Sequence, residues 1–265
     1  MPESKHLSFE KPLESLGPIT LEEMEGIKLM NRIDSKYLTD EASLLRILAA
    51  AGAAGYRVLV TEGMRISPYD SVYYDTDGLR MFYDHHNRRL VRQKVRTRSY
   101  ENSGDTFLEI KRKNNKGRTK KKRMHIPTAE LMDFRADDAA CTYLADHSWF
   151  TAPDLSPVLE TRFHRITLVN PAKTERLTID TLLNFKNFRT GKETSLQNAV
   201  IIELKQDGRA ASQMKNILLD LRVKPVRVSK YCIAVTLTDP GAKSGRFKGK
   251  VRCIEKTIGN KLVTI

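Results

Sequence analysis

Residues 91–98 alternate without a break: Arg92, Lys94, Arg96 and Arg98 share one parity, and Val91, Gln93, Val95 and Thr97 share the other. Successive side chains of a strand point to opposite faces, so this segment is a strand with a cationic face and a largely uncharged one. The pattern recurs. Phe107, Glu109, Lys111 and Lys113 oppose Leu108 and Ile110, and Glu203 and Lys205 oppose Val200, Ile202 and Leu204. Between Arg88 and Arg123 stand fifteen basic residues and only three acids, Glu101, Asp105 and Glu109. A solvated sheet face is the simple reading of such strands. The density argues against it, because like charges opposite one another on neighbouring strands repel. A sheet whose charged faces line an interior, with helices over the apolar exterior, can hold a polyanion there.

Turn signals divide the rest of the chain. Asn102, Ser103, Gly104 and Asp105 separate a strand at 90–100 from one at 106–113, and Asn114, Asn115, Lys116 and Gly117 separate that from a third at 117–126. Turns this short imply an antiparallel meander. Further extended segments lie at 30–38, 56–61, 71–75, 157–169, 174–185 and 199–205. Helices are predicted at 21–24 after an N-cap at Thr20, at 40–51 after Asp40 or Thr39, at 77–86, at 128–147 and at 208–221. The last carries Met214, Ile217, Leu218 and Leu221 on one face. This organisation is a lead-in over 1–20, one main domain over 21–238 and a basic tail over 239–265 with Lys243, Arg246, Lys248, Lys250 and Arg252.

The formal net charge is +14. Self-repulsion on that scale disfavours a compact state and points to a polyanionic partner: nucleic acid, an anionic membrane or phosphates. Aromatic residues make up 7% of the chain and are sparse beside the basic strand positions, which argues against single-stranded nucleic acid held by stacking. Cys141, Cys232 and Cys253 follow no metal or redox spacing and read as reduced thiols. Residues 1–13 lack the apolar core of a signal peptide. No run approaches the roughly 18 apolar residues of a membrane span. The expectation is a cytoplasmic protein, at most peripheral at the inner face of a membrane through its tail or a separate membrane protein. His85 and His86 lack partners at zinc-ligand spacing. Gly191 and Lys192 lack the remaining residues of a phosphate loop, so Thr190, Gly191 and Lys192 read as a turn.

Ten short stretches, in order over about residues 25–237, resemble the triphosphate tunnel metalloenzymes and, more narrowly, the polyphosphate polymerase (VTC, vacuolar transporter chaperone) domain. They are Arg32, Asp34, Lys36 and Tyr37; Tyr73 to Thr76; Phe82 to Asn87; Arg92, Lys94, Arg96, Arg98 and Tyr100; Phe107, Glu109, Lys111 and Lys113; Gly117 and Arg118 leading to Lys121 and Arg123; Phe163 and Arg165; Arg176, Thr178 and Asp180; Ile202, Glu203 and Lys205; and Ser229, Lys230 and Tyr231. The resemblance implies an α+β fold: an antiparallel eight-stranded β-barrel tunnel with flanking helices on the outside. It implies transfer of the ATP γ-phosphate to a growing inorganic polyphosphate, with Mn²⁺ or Mg²⁺. The first strand departs from the superfamily's Glu-x-Glu-x-Lys pattern, since Arg32, Asp34 and Lys36 retain one acid. That disfavours a two-metal hydrolase.

Phosphoryl transfer asks a protein for positioning and charge neutralisation. Arg grips phosphate oxygens through a fork and Lys acts as a point charge. The phosphate-contact candidates are Lys36, Arg96, Arg98, Lys111, Lys121, Arg123, Arg165, Arg176 and Lys230, with Lys94, Lys113 and Lys205 as nucleotide- or chain-binding candidates. Glu203 is the expected metal ligand and Glu109 a second metal or ion-pairing carboxylate. Asp34 and Asp180 are weaker candidates. The expected partners are ATP and inorganic polyphosphate, with no specific nucleic acid. A hydrolase of the same fold and a non-catalytic polyphosphate- or RNA-binding barrel are the alternatives.

Overall fold

The computed structural model describes residues 7–25, 32–208 and 210–262. In chain order its elements are α1 (Leu7–Glu14), β1 (Gly17–Ile19), α2 (Leu21–Glu25), β2 (Ile33–Asp40), α3 (Glu41–Ala53), β3 (Arg57–Leu59), β4 (Ser67–Asp75), α4 (Arg80–His86), β5 (Arg92–Tyr100), β6 (Asp105–Lys113) and β7 (Thr119–Ile126). There follow α5 (Asp138–His147), β8 (Ser156–Val169), β9 (Glu175–Asn187), β10 (Glu193–Leu196), β11 (Ala199–Gln206), α6 (Gln213–Asp220), α7 (Lys230–Thr238) and α8 (Lys248–Ile258). Eight strands form one continuous path, β2-β11-β9-β8-β4-β5-β6-β7. Every pair on it is antiparallel. The short strands β1, β3 and β10 attach at its side.

The α+β class and the eight-stranded path agree with expectation, but the barrel is not closed by hydrogen bonds. No ladder joins β2 to β7 among the described residues. The free edge of β2 is covered by the segment before α7: Tyr37 bridges Pro225, and the Val226 amide donates to the Lys36 carbonyl at 2.7 Å. The edge strand β7 is exposed over most of its length. Its Lys120, Lys121, Lys122 and Arg123 are the charged side chains that keep an open edge from recruiting another strand. The β5-β6-β7 meander turns at Gly104 (φ +70°) and Gly117 (φ +78°), both in the left-handed region that favours glycine.

Three apolar layers hold the sheet. Outside β2, β11, β9 and β8, the Leu44, Ile47, Leu48 and Ala51 face of α3 packs with Phe9, Leu13 and Leu16 from the N-terminal segment and with Met214 and Leu218 of α6. Phe9, Leu13 and Leu16 of the N-terminal segment are buried in this layer; residues 1–6 lie outside the described residues. Outside β5 and β6, Phe134, Ala140 and Leu144 cover Val95, Leu108 and Ile110. The third layer lies within the curl. Residues Tyr231 to Thr238 of α7 are all buried, so α7 is a plug and not an external helix. It packs on Leu159, Phe163, Leu183 and Phe185, and Phe247, Val251, Ile254 and Ile258 close over it. Helix α8, within the basic segment, thus has one buried face.

Local chemistry explains most element boundaries. Asp40 caps α3 by accepting from the Ser43 amide at 2.7 Å, and Ser212 caps α6 by accepting from the Lys215 amide at 3.1 Å. Buried Asp75 receives the amides of Met81 and Phe82 and the Tyr231 hydroxyl, at 2.8, 2.9 and 2.6 Å, which ties α4 to α7. The helix expected over 128–147 is interrupted. Only a turn of 3₁₀ helix at Thr128–Glu130 precedes α5. Asp133 instead chelates the Arg135 guanidinium and amide, and Asp137 begins α5 by capping Ala139 and Ala140. The extended segment expected at 30–38 begins at Ile33 among described residues; residues 30 and 31 lie outside them, as does Arg209 in the helix expected over 208–221. Strand β10, which the sequence reading lacked, pairs with β9 across the turn at Gly191.

Candidate active site

Cross-strand register carries the cationic parity across the whole sheet. Arg92 stands opposite Lys113, Lys94 opposite Lys111, and Arg96 opposite Glu109; on the next strand Lys111 meets Lys121 and Glu109 meets Arg123. Across β4 the same face shows Tyr73 beside Arg96 and Ser71 beside Arg98. On the other half, Arg165 faces Asp180, Lys205 faces Arg176 and Asp34, and Glu203 faces Thr178 and Lys36. Four strands separate β11 from β6, which would put them about 24 Å apart in a flat sheet. Glu203 on β11 nevertheless lies within electrostatic range of Lys111 on β6, and Lys36 on β2 within range of Lys94 on β5. The sheet therefore curls its cationic face into a trough. Every candidate named from the sequence lines it or its rim, with Lys230 entering from the N-terminus of α7.

The carboxylates inside are unequally engaged. Arg96 grips Glu109 through Nε at 2.8 Å, and Lys121 pairs with it as well. The Glu109 side chain has no exposure. Glu109 is thus engaged in ion pairs with Arg96 and Lys121. Asp180 receives two bonds from Arg165, at 2.6 and 2.9 Å, and an ion pair from Lys230. Glu203 is the open one: its side chain is 25% exposed and its nearest cation, Lys205, is 3.7 Å away. Burial opposes ionisation of Glu203, but Lys205, Lys36, Arg165 and Lys111 outweigh that and hold its carboxyl down at about 2. Glu203 is a carboxylate across the neutral range.

Crowded cations lower one another's proton affinity. The Arg96 charge, with burial, takes Lys111 down to about 6 against the opposing pull of Glu109. Burial takes Lys205 and Lys230 to about 8, even with Glu203 and Asp180 beside them. Tyr73, which accepts from Arg96 Nη1 at 3.0 Å, is pushed up by burial; Arg96, Arg98, Lys94 and Lys230 reverse this and bring it to about 7. The charged Arg165 and Asp180 instead reinforce each other, and Asp180 stays well below the usual carboxylate range despite its burial.

Two features escaped the sequence reading. Aromatic rings do line the trough, beneath the cations. The Arg165 guanidinium lies 4.8 Å from the Tyr69 ring centre and 5.2 Å from that of Phe163, and Lys230 Nζ lies 3.7 Å from Phe163. Arg123 covers Phe107 at 4.6 Å. These ring faces are occupied by cations and hold them in place. Tyr73 is the other: its place in a Tyr-Tyr-Asp run marked it as strand, and only the register shows it among four cations. His85 packs its Nδ1 3.1 Å from the buried Cys232 Sγ, and burial lowers its proton affinity to about 3, so it is a neutral wall residue.

A divalent cation would have few protein ligands here. No group of three or more His, Cys, Asp or Glu converges among the described residues. One open carboxylate suits Mg²⁺ or Mn²⁺, which bind hard oxygen and take most of their shell from water and substrate phosphates. It does not suit a two-metal cage. Glu203 would hold the ion.

The VTC domain model matches residues 31–238, most of the chain. No curated protein matches. Among solved structures, a candidate adenylate cyclase from Bacillus halodurans is 14% identical with a TM-score of 0.51, covering 76% of this chain and 96% of its own. A candidate adenylyl cyclase from Hippeastrum, described as having a dominant triphosphatase activity, is 12% identical with a TM-score of 0.50, covering 76% of this chain and 94% of its own. At these identities the likeness is one of fold, and it agrees with the curled antiparallel sheet. No helix among the described residues is long and apolar enough to cross a membrane. From a cationic trough built by eight antiparallel strands, and a family match that spans them, the chain belongs to the VTC domain family.

Proposed function

We propose that this protein is a polyphosphate polymerase that transfers the γ-phosphate of ATP to the end of an inorganic polyphosphate held in the trough. The observation that carries the reading is the row of basic side chains on one curled face, running from Arg92 and Lys113 to Arg176 and Lys205. A linear chain of phosphates is the substrate whose charge repeats along such a row. Arg98 and Arg176 supply forks for phosphate oxygens, and Arg123 adds one at the open rim; Arg96 and Arg165, whose forks are held by Glu109 and Asp180, supply charge, as do Lys36, Lys94, Lys111, Lys113, Lys121, Lys205 and Lys230. Glu203 would hold a Mg²⁺ or Mn²⁺ ion, whose charge would offset that of the phosphates.

The attacking group needs no strong base. A terminal polyphosphate oxygen is already anionic at neutral pH, so the chain's own residues need only align it with the γ-phosphate and offset the charge. Lys230 is fixed between Asp180 and the Phe163 face, and Lys36 donates to the Val228 carbonyl at 3.5 Å. In this reading, Lys36 or Lys230 orients the attacking phosphate. Hydrolysis is the second reading, favoured by the triphosphatase described for the Hippeastrum protein. The ratio of products separates the two. ATP consumed with Mn²⁺ should yield ADP without equivalent free phosphate. Equal ADP and phosphate would establish hydrolysis and sink the polymerase.

A further inference from the structure

Helix α8 lies beyond the matched residues, yet it delivers a cation to the end of the trough. Lys250 is half-buried, and its electrostatic neighbours are Cys232, Arg88, Arg227 and Lys94. Lys113, at the end of β6, has Arg92 and Arg227 as neighbours. The cations thus come from the turn after α4, from β5, from β6, from the segment covering β2 and from α8. They meet beside the N-terminus of α7, where Lys94 Nζ donates to Ser229 Oγ at 3.0 Å.

Apolar packing imposes this meeting. Phe247 is 3% exposed, and its ring centre lies 5.7, 5.9 and 5.5 Å from those of Phe82, His85 and His86. The Arg246 amide donates to His86 Nε2 at 3.3 Å, and Val251 and Ile254 are buried. Among the described residues no carboxylate stands within ion-pair distance of Arg88, Arg92, Lys113, Arg227 or Lys250; the nearby Asp84 is taken by Arg80 and Arg89. Like charges gathered by packing, with no acid among them, leave a site whose potential calls for an anion. Because Arg92 and Lys94 continue straight into the trough, the anion best suited is the same linear chain.

We propose that this end of the trough is a second polyanion site, which grips inorganic polyphosphate beyond the transfer site through Lys250 and Arg227. The inference rests on the polyphosphate reading above. Wild type and a Lys250→Ala/Arg227→Ala variant should be titrated with tripolyphosphate and with long-chain polyphosphate at several salt concentrations. Tripolyphosphate, too short to reach both sites, should bind the two proteins within about twofold, which also shows that the variant is folded. Long-chain affinity should fall about tenfold in the variant, about 1.4 kcal/mol, and its salt slope should shrink by about one to two released ions. Arg227→Ala alone, at an exposed position, should show the same split at about threefold, about 0.6 kcal/mol. Equal long-chain binding by variant and wild type would overturn the site. So would an equal loss for both ligands, or a loss confined to a single-stranded RNA competitor. Wild type that binds neither phosphate ligand would instead overturn the underlying reading.

Discussion

Replacing Asp180 by Asn tests whether the trough is a charge-balanced structure or a row of independent contacts. Asp180 is 4% exposed and holds Arg165 through two oxygens while pairing with Lys230. At the 2.9 Å separation of Arg165 Nη2 and Asp180 Oδ2, an effective dielectric of 20 gives an attraction of about 6 kcal/mol per pair. Desolvation already offsets much of that, and Asn still accepts one hydrogen bond. The net loss is about 3 kcal/mol, the low end for a buried pair broken on one side. For a chain of this size that lowers Tm by about 6–12 °C. Thermal unfolding without ligand reads it directly. Tripolyphosphate at a hundred times its Kd should stabilise wild type by about 2.7 kcal/mol and the variant by more, because the ligand replaces the missing anion. A variant melting within about 2 °C of wild type, or one stabilised less by the ligand, would mean that Asp180 balances no charge in the trough.

Three further outcomes follow from the same geometry. Lys111 sits at about 6, Tyr73 at about 7 and Lys205 and Lys230 at about 8 in the empty trough; a bound polyanion raises all four, so at pH 7 binding should take up about one to two protons. Affinity should then weaken as pH rises from about 6 through 8, and calorimetry in buffers of different ionisation enthalpy checks both statements. Glu203→Gln should abolish metal-dependent turnover in a protein that still folds, with a lower Tm because the carboxylate that Lys205, Lys36, Arg165 and Lys111 stabilise is lost, and with metal-free tripolyphosphate binding at least as tight as in wild type; full activity would remove Glu203 from the metal site. Phe247→Ala should destabilise the fold by about 3 kcal/mol, measured by urea unfolding, whereas a loose tail would show no change.

How much of this was legible in the sequence depended on the range of the interaction. The parity of Arg92 to Arg98 and of Phe107 to Lys113 needs only the two-residue period of a strand, so the cationic face could be read directly. The turns at Gly104 and Gly117 were equally plain, because each is local chemistry. The plug α7 was not legible: Tyr231 to Thr238 carry apolar residues all round, a pattern shared by strand and buried helix. The pairing of Glu109 with Arg96 and Lys121 depended on register across three strands, and the meeting of Asp180 with Lys230 on a contact fifty residues apart. The burial of Phe247 and Val251 beneath a helix rich in lysine was hidden by the charge around them.

The most direct test of the account is to incubate the purified protein with ATP and Mn²⁺ and resolve the products by length on a gel stained for polyphosphate. A polymerase yields a ladder of chains that lengthens with time as ADP accumulates, and Glu203→Gln yields no ladder. Full consumption of ATP to ADP and free phosphate, with no chain longer than the substrate's own, would contradict it.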